Sequence, residues 1–157
     1  MSGFRICSVD MRITKQEEYG LRCILQLAQN GTGSKTTVEI AAKEGLSMDY
    51  VTKLLISLRR NGIVESVRGV KGGYKLAKSP EKITVGQVMR ALGWSVLDES
   101  LCQHYPGKLE NCIHLQGCGI RPIWMKAAKM IYKLFDTTSL AELLKEEELV
   151  SQDLEQK

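Results

Sequence analysis

Residues 46–78 carry the sequence LSMDYVTKLLISLRRNGIVESVRGVKGGYKLAK, and this stretch decides the fold of the chain. Ser47 supplies the hydroxyl preferred at a helix N-cap, and Asn61 and Gly62 are typical of a helix end. Between them, apolar residues recur at the i, i+3, i+4, i+7 spacing of one helix face. These residues are Val51, Leu54, Leu55 and Leu58. The spacing predicts a helix that buries this face and turns a polar side outward.

The rest of the stretch predicts a β-hairpin after the helix. Residues 63–67 are β-prone, residues 68–73 (RGVKGG) form a glycine-rich basic tip, and a return strand begins near Tyr74. Ahead of the stretch, Thr36 and Glu39 form a capping-box pattern that starts another short helix. Helix, turn, helix and basic hairpin together indicate a winged helix-turn-helix.

This arrangement favours double-stranded DNA as the ligand. The N-terminal end of the second helix, capped by Ser47, fits a major groove about 12 Å wide, while the basic wing reaches the neighbouring minor groove. The outward residues expected at DNA are Asp49, Thr52 and Lys53 on the helix and Arg68 and Lys71 on the wing. A winged helix that binds protein is the alternative left open by this pattern.

Composition agrees with a basic DNA-binding half. The chain has 157 residues, 43% of them hydrophobic, which is enough to form a core. Residues 1–90 contain 15 Lys and Arg and 8 Asp and Glu, a balance of +7, whereas residues 91–157 contain 7 and 10, a balance of −3. We expect a cytoplasmic protein with no membrane partner, because no run of about 20 apolar residues and no signal-peptide core is present.

Helices are also predicted on both sides of the central stretch. Residues 12–31 form an amphipathic pattern in which Cys23 lies among apolar neighbours, as expected of an unreactive core cysteine. Thr84 caps a further helix, and Pro122 begins a long one whose apolar surface is too wide for a single neighbour. That width indicates a homodimer, and packing against the core of the same chain is the alternative left open. The residues expected in the dimer interface are Trp124, Ala127, Ala128, Ile131 and Leu134.

These elements predict a mostly α fold with a small β-hairpin wing, built as a winged helix-turn-helix plus a long dimerisation helix. The expected divisions are a flexible arm at 1–10, a DNA-binding domain at 11–92, a cysteine-rich loop at 93–121, two helices at 122–148 and an acidic tail at 149–157. An enzyme is not expected, because the chain lacks a recognisable nucleophile elbow, phosphate loop or pair of catalytic carboxylates.

The cysteine-rich loop predicts a metal site. Its cysteines follow the spacing Cys102-x9-Cys112-x5-Cys118, and His104 and His114 each lie two residues after a cysteine. Five cysteines in the whole chain cannot all pair, and clustered thiols in a reducing compartment more often bind metal or sense oxidation. Zinc binding and thiol oxidation therefore both stay open at this stage.

The sequence also resembles a known family along most of its length, from Met11 to about Glu148. The resemblance is carried by residues 11–28 (MRITKQEEYGLRCILQLA), 41–78, 79–92 (SPEKITVGQVMRAL) and 138–144 (TSLAELL), together with the cysteine loop. These segments are similar to the winged-helix transcription regulators of the IscR, NsrR and RirA family. The resemblance implies a homodimeric, DNA-binding regulator that holds an iron-sulfur cluster and senses redox state, nitric oxide or cluster status.

The resemblance also implies a ligand set. The three cluster cysteines of the family fall on Cys102, Cys112 and Cys118, and Glu18 matches the acidic residue that one branch uses as fourth ligand from the partner subunit. The histidine that another branch places after the last cysteine is absent, since residues 119–121 are Gly, Ile and Arg. His104 and His114 remain alternative fourth ligands. The longer gap between the first two cysteines leaves a two-iron and a four-iron cluster both open.

On the DNA side, the resemblance carries over to three positions. Asp49 and Tyr50 match helix residues that contact DNA in the family, and Arg68 matches the wing arginine. Thr52 departs from the pattern, because the iron-sulfur biogenesis regulator has an acidic residue there that discriminates bases. The operator preference of that regulator is therefore not carried over to this chain.

Overall fold

The capped helix and hairpin of residues 46–78 stand at the centre of the computed structural model, which describes residues 13–31, 33–69, 72–96, 112–114 and 117–155. Within these segments the chain forms six α-helices and two strands. The helices are α1 (Lys15–Ala28), α2 (Thr37–Glu44), α3 (Met48–Arg60), α4 (Val85–Ala91), α5 (Arg121–Thr137) and α6 (Leu140–Glu155), and the strands are β1 (Val64–Val67) and β2 (Gly73–Leu76). The predicted fold, mostly α with a hairpin wing, is confirmed.

Reciprocal capping starts four of the helices. The predicted box at Thr36 and Glu39 forms, with the Glu39 backbone N–H donating to the Thr36 hydroxyl at 3.2 Å and the Thr36 N–H donating to the Glu39 carboxylate at 2.7 Å. Further boxes begin α1, α4 and α6. Their residues are Thr14 with Glu17, Thr84 with Gln87, and Ser139 with Glu142. Each box satisfies backbone donors that a helix start leaves without partners.

The wing is a two-stranded antiparallel sheet with an added backbone pair. Strand β1 aligns Val64 with Leu76 and Val67 with Gly73 on β2. On the other edge of β2, the backbones of Lys35 and Tyr74 exchange two hydrogen bonds of 2.9 Å. A Cβ atom at Gly73 would overlap the carbonyl of Lys35, so glycine permits this close approach. The loop between α1 and α2 therefore holds the base of the wing.

The main core lies among α1, α2, α3, α4 and the wing, and the C-terminal helix completes it. Leu140, the first residue of α6, is fully buried in this cluster. Its backbone N–H donates to the Ile83 carbonyl at 2.9 Å, and the Val85 N–H donates to the Thr138 carbonyl at 2.9 Å. Residues after position 121 thus share a core with the predicted DNA-binding domain.

A second apolar cluster joins α4 to α5. Val85, Met89 and Trp94 are buried there against residues of α5. The Trp94 ring lies 4.9 Å from the Phe135 ring and 5.6 Å from the Tyr132 ring, measured between centroids. These aromatic contacts fix α5 on α4.

Two helix limits differ from the predictions. Helix α5 begins at Arg121, one residue before Pro122. Helix α6 continues to Glu155 through the region predicted as an acidic tail, because residues 140–155 contain no glycine or proline and many strong helix formers. None of the described helices is long and apolar enough to cross a membrane.

Candidate nucleic-acid interface and cysteine loop

The N-terminal end of α3 is built as predicted for a recognition helix. Gly45 ends α2 with a φ of 65°, which turns the chain sharply before α3. The Ser47 hydroxyl then accepts a hydrogen bond of 3.3 Å from the Tyr50 backbone N–H. Asp49 and Lys53 are exposed beyond this cap. The helix therefore presents its free N-terminal end and two charged side chains to solvent, as a major-groove contact requires.

Tyr50 and Thr52 are more constrained than the sequence indicated. The Tyr50 ring is half-buried and meets the Tyr19 ring of α1 edge-on, with centroids 6.2 Å apart. The Thr52 hydroxyl donates a hydrogen bond of 2.8 Å to the carbonyl of Met48. Tyr50 thus connects the recognition helix to α1, whereas the Thr52 hydroxyl is held by a carbonyl of its own helix.

The wing carries its predicted arginine at an open position. Arg68 is exposed directly after β1, and Gly69 follows with a φ of 122° that favours glycine. Lys75 and Glu65 pair across the two strands at 2.8 Å. The predicted contact Lys71 lies outside the described residues.

The predicted dimer face of α5 divides into two parts. Trp124 and Leu134 are exposed, at 56% and 60%, and Ala127 is half-buried. Ala128 and Ile131 instead face their own chain, because Ala128 is buried and Ile131 packs against the cluster of α4. The exposed apolar surface runs further along the helix than the prediction, and its remaining members are Ile120, Ile123 and Met130.

Two of the predicted cluster cysteines lie immediately before α5. Cys112 and Cys118 are half-buried free thiols. The Cys118 sulfur accepts a hydrogen bond of 3.3 Å from the backbone N–H of Arg121, the first residue of α5. His114 is exposed between them, and Cys102 and His104 lie outside the described residues. Among the described residues, no three His, Cys, Asp or Glu side chains come together as metal ligands.

Glu18 lies on α1 with its carboxylate close to the surface. Its oxygen accepts a hydrogen bond of 2.8 Å from Arg22, one turn later, and this bond raises the pKa of the Arg22 guanidinium. The Glu18 side chain remains 47% exposed. It also borders an apolar groove of about 310 Å³ whose lining includes Leu21, Met89 and Leu134. Glu18 and the exposed face of α5 therefore share one surface.

Cys23 is separate from this chemistry. It is fully buried in the main core, and burial raises the pKa of its thiol to about 12, with a further contribution from the charge of Glu44. The prediction of a core cysteine is confirmed.

A polar network near Cys23 was not predicted. Gln26 is buried on α1 and donates a hydrogen bond of 2.6 Å to the carboxylate of Glu44 on α2. The Lys35 ammonium donates to the Gln26 side chain at 3.4 Å, and burial lowers the pKa of that ammonium. A glutamine among apolar residues of one helix gives only a weak signal for such partners, because both lie elsewhere in the sequence.

Comparisons with known proteins agree with this geometry. Residues 13–146 match the family model described as Rrf2, iron-dependent transcriptional regulator. The transcriptional regulator IscR of Erwinia tasmaniensis is 34% identical over 141 residues, which make up 89% of this chain and 82% of that protein.

Solved structures give the same result. IscR of T. potens superposes with a TM-score of 0.68 at 30% identity, over 88% of this chain and 89% of that one. CymR, the global cysteine regulator of B. subtilis, superposes with a TM-score of 0.66 at 29% identity, over 85% of this chain and 95% of that one. These relatives are regulators rather than enzymes.

Proposed function

The chain belongs to the Rrf2 family of winged-helix transcriptional regulators, and from this premise we propose that it acts as a homodimer whose iron-sulfur cluster controls its affinity for an operator. The proposed operator contacts come from α3, its cap and the wing. They are Ser47 at the cap, Asp49, Tyr50, Thr52 and Lys53 on α3, and Arg68 and Lys71 on the wing. A DNA ligand agrees with the cytoplasmic location expected from the sequence.

The observation that carries the proposal is the position of the described cysteines. Cys112 and Cys118 lie nine and three residues before α5, and the Cys118 sulfur accepts the first backbone N–H of that helix. This hydrogen bond ties the Cys118 sulfur to the first turn of α5. A change at the thiolates is therefore transmitted to the start of the helix with the exposed apolar face.

The donor set fits a cluster. Iron-sulfur clusters are held mainly by cysteine thiolates, and here Cys102, Cys112 and Cys118 supply three. When bound, the cluster supplies a group that responds to oxidants and nitric oxide. In the sequence, the three cysteines lie between the winged helix and α5. A cluster held by them would therefore affect the position of α5 relative to the winged helix.

Glu18 of the partner subunit is the proposed fourth ligand. Its carboxylate is exposed, its described partner is the equally exposed Arg22, and it borders the groove that contains Leu134. If a second copy packs on the apolar face of α5, its cysteine loop comes near this carboxylate. Arg22 can release Glu18 readily, since exposed ion pairs contribute only about 0–1 kcal/mol.

Contacts join the cysteine loop to the recognition helix. Helix α5 packs on α4 through the Trp94 cluster. Helix α4 in turn receives a hydrogen bond of 2.8 Å from the Ser57 hydroxyl of α3 to the Ala91 carbonyl. A shift of α5 between cluster-bound and cluster-free states would therefore move α3 relative to its partner copy and change the half-site spacing that both can reach.

The test is an anaerobic purification followed by absorption spectroscopy, iron and sulfide counts, and operator binding. Cys112→Ala should remove most of the visible absorbance and change operator affinity by about tenfold or more. Cys23→Ala is the matched control, because this cysteine is buried in the main core. This variant should keep the visible absorbance and the operator affinity of the native chain. Full absorbance in Cys112→Ala would contradict the cluster proposal.

A second pair of variants tests the fourth ligand. Glu18→Ala should lower cluster retention, whereas Arg22→Ala breaks the same ion pair but keeps the carboxylate and should retain the cluster. Equal cluster retention by the two variants would exclude Glu18 as the fourth ligand and would favour His104 or His114.

A thiol or zinc sensor on the same DNA-binding scaffold is the second candidate. The two free thiols at Cys112 and Cys118 favour it, and so does the likeness to CymR, whose oxidised form has been solved from Staphylococcus aureus. Zinc without acid-labile sulfide, or a disulfide formed reversibly under oxidant, would support this candidate over the cluster.

A further inference from the structure

The recognition helix carries an exposed apolar side chain at its first position. Met48 begins α3 and is 51% exposed, whereas the four apolar residues that follow on the inner face are buried. Thr52 lies four residues later, on the same side of the helix. An exposed methionine has no role in the core of this chain, and its place next to the helix cap sets it where α3 would enter a groove.

The hydrogen bond between these two residues determines what Thr52 has left to offer. Its hydroxyl proton is donated to the Met48 carbonyl at 2.8 Å. What remains is the γ-methyl group and an oxygen that accepts but does not donate. The side of α3 that contains Met48 and Thr52 is therefore apolar and poor in donors.

Base edges in the major groove differ in their need for donors. Guanine presents the acceptors N7 and O6, which require an N–H or O–H group from the protein, whereas thymine presents a C5-methyl group that is recognised by apolar contact. Neither Met48 nor Thr52 provides such a donor. An A·T pair satisfies both side chains, because its adenine amino group can donate to the Thr52 oxygen while its thymine methyl meets apolar atoms.

We infer that Met48 and Thr52 specify one A·T base pair in each half-site by contact with its thymine methyl group. The inference rests on the proposed entry of α3 into the major groove and extends it to the preferred base. It assigns a role in base recognition to Met48. It also gives Thr52 a different preference from that of the acidic residue that the iron-sulfur biogenesis regulator has at this position.

The experiment uses deoxyuridine, which lacks only the thymine methyl group. Full-length protein first selects a binding duplex from a random-sequence pool, and each thymine of that duplex is then replaced in turn. At one position per half-site, replacement should weaken binding about fourfold, the effect of one buried methyl group. Met48→Ala and Thr52→Ser should bind the thymine and deoxyuridine duplexes equally.

Thr52→Val is the matched control for Thr52→Ser. Valine keeps a methyl group at the γ position and loses the hydroxyl, so the preference for thymine should persist, whereas serine keeps the hydroxyl and loses the methyl. Circular dichroism verifies that α3 is intact in each variant.

The outcomes separate this inference from the proposed function. If no duplex is selected, the DNA-binding proposal fails and the inference with it. If a duplex is selected but deoxyuridine is neutral at every position, only the inference is overturned. A thymine preference that survives unchanged in both Met48→Ala and Thr52→Ser also overturns it, because other residues then read the methyl group.

Discussion

Cys23, Cys112 and Cys118 show how residues of one type acquire different roles from their surroundings. Cys23 is enclosed by the main core, whereas Cys112 and Cys118 are half-buried beside the start of α5. The sequence already separated them, because Cys23 lies within an apolar helix pattern and the others lie between glycines and polar residues. For Cys23, this burial raises the pKa of the thiol.

The pH dependence of stability tests the buried state of Cys23. In the folded chain the pKa of its thiol is about 12, against an ordinary value of 9.0. Between these limits the unfolded thiol ionises and the folded one does not, so the free energy of unfolding should fall as pH rises, by at most about 1.4 kcal/mol per pH unit. Urea denaturation across this range should show a steeper decline in the native chain than in Cys23→Ala. Parallel curves would contradict the assignment.

A second prediction at this scale concerns Gly73 on the wing. Gly73→Ala places a methyl group against the Lys35 carbonyl and should destabilise the chain by about 1–3 kcal/mol. Gly117→Ala is the control, because its added methyl group meets no atom within 4 Å. Urea denaturation of both variants gives the comparison, and equal stabilities would argue against the close packing at Lys35.

At the scale of elements, the sequence predicted what local chemistry specifies. Helix α3 and its inner face followed from Ser47, Leu54 and Leu58 because capping and periodicity act within a few residues. The bridge between Lys35 and Tyr74 was not predicted, since it joins backbone groups far apart in the sequence. The extent of α6 was not predicted either, because its last turns have exposed apolar residues and lack the burial pattern that marks a helix.

The cap of α3 allows folding and DNA binding to be tested separately. Ser47→Ala removes the hydroxyl that accepts from the Tyr50 N–H and should cost about 0.5–2 kcal/mol of stability. Ser47→Asp keeps a capping acceptor, so stability should be retained, while its negative charge near phosphates should weaken operator binding. Thermal denaturation and titration with operator duplex measure the two effects. Unweakened binding by Ser47→Asp would place this helix end away from DNA.

At the scale of the whole molecule, the exposed face of α5 is the surface on which the proposed dimer depends. Its apolar residues form one side of a helix whose other sides are either buried on α4 or lined with lysines. The sequence predicted the width of this face but placed Ala128 and Ile131 in it, because periodicity alone does not distinguish contacts within a chain from contacts between chains. The proposed cluster ligands depend on the resemblance, because the cysteine spacing alone leaves zinc binding and thiol oxidation open.

Introducing a charge on the exposed face of α5 tests the proposed dimer. Leu134→Glu places a carboxylate on the exposed apolar face and should raise the dissociation constant of the dimer at least about tenfold, since a charge is unfavourable in an apolar interface. Lys129→Glu alters an exposed residue on the polar side of the same helix and should leave association intact. Analytical ultracentrifugation distinguishes the results. A monomeric native chain, or a dimer unaffected by Leu134→Glu, would exclude this face as the interface.

Leu140 has a consequence for how such a regulator can be divided and inherited. Because this first residue of α6 is fully buried among side chains of the winged helix, the last helix completes the core of the first half. A gene segment ending before α5 would therefore encode a DNA-reading half with an unfilled core. The winged helix and the C-terminal helices are consequently constrained to evolve as one unit, and recombination that exchanges one without the other should be disfavoured.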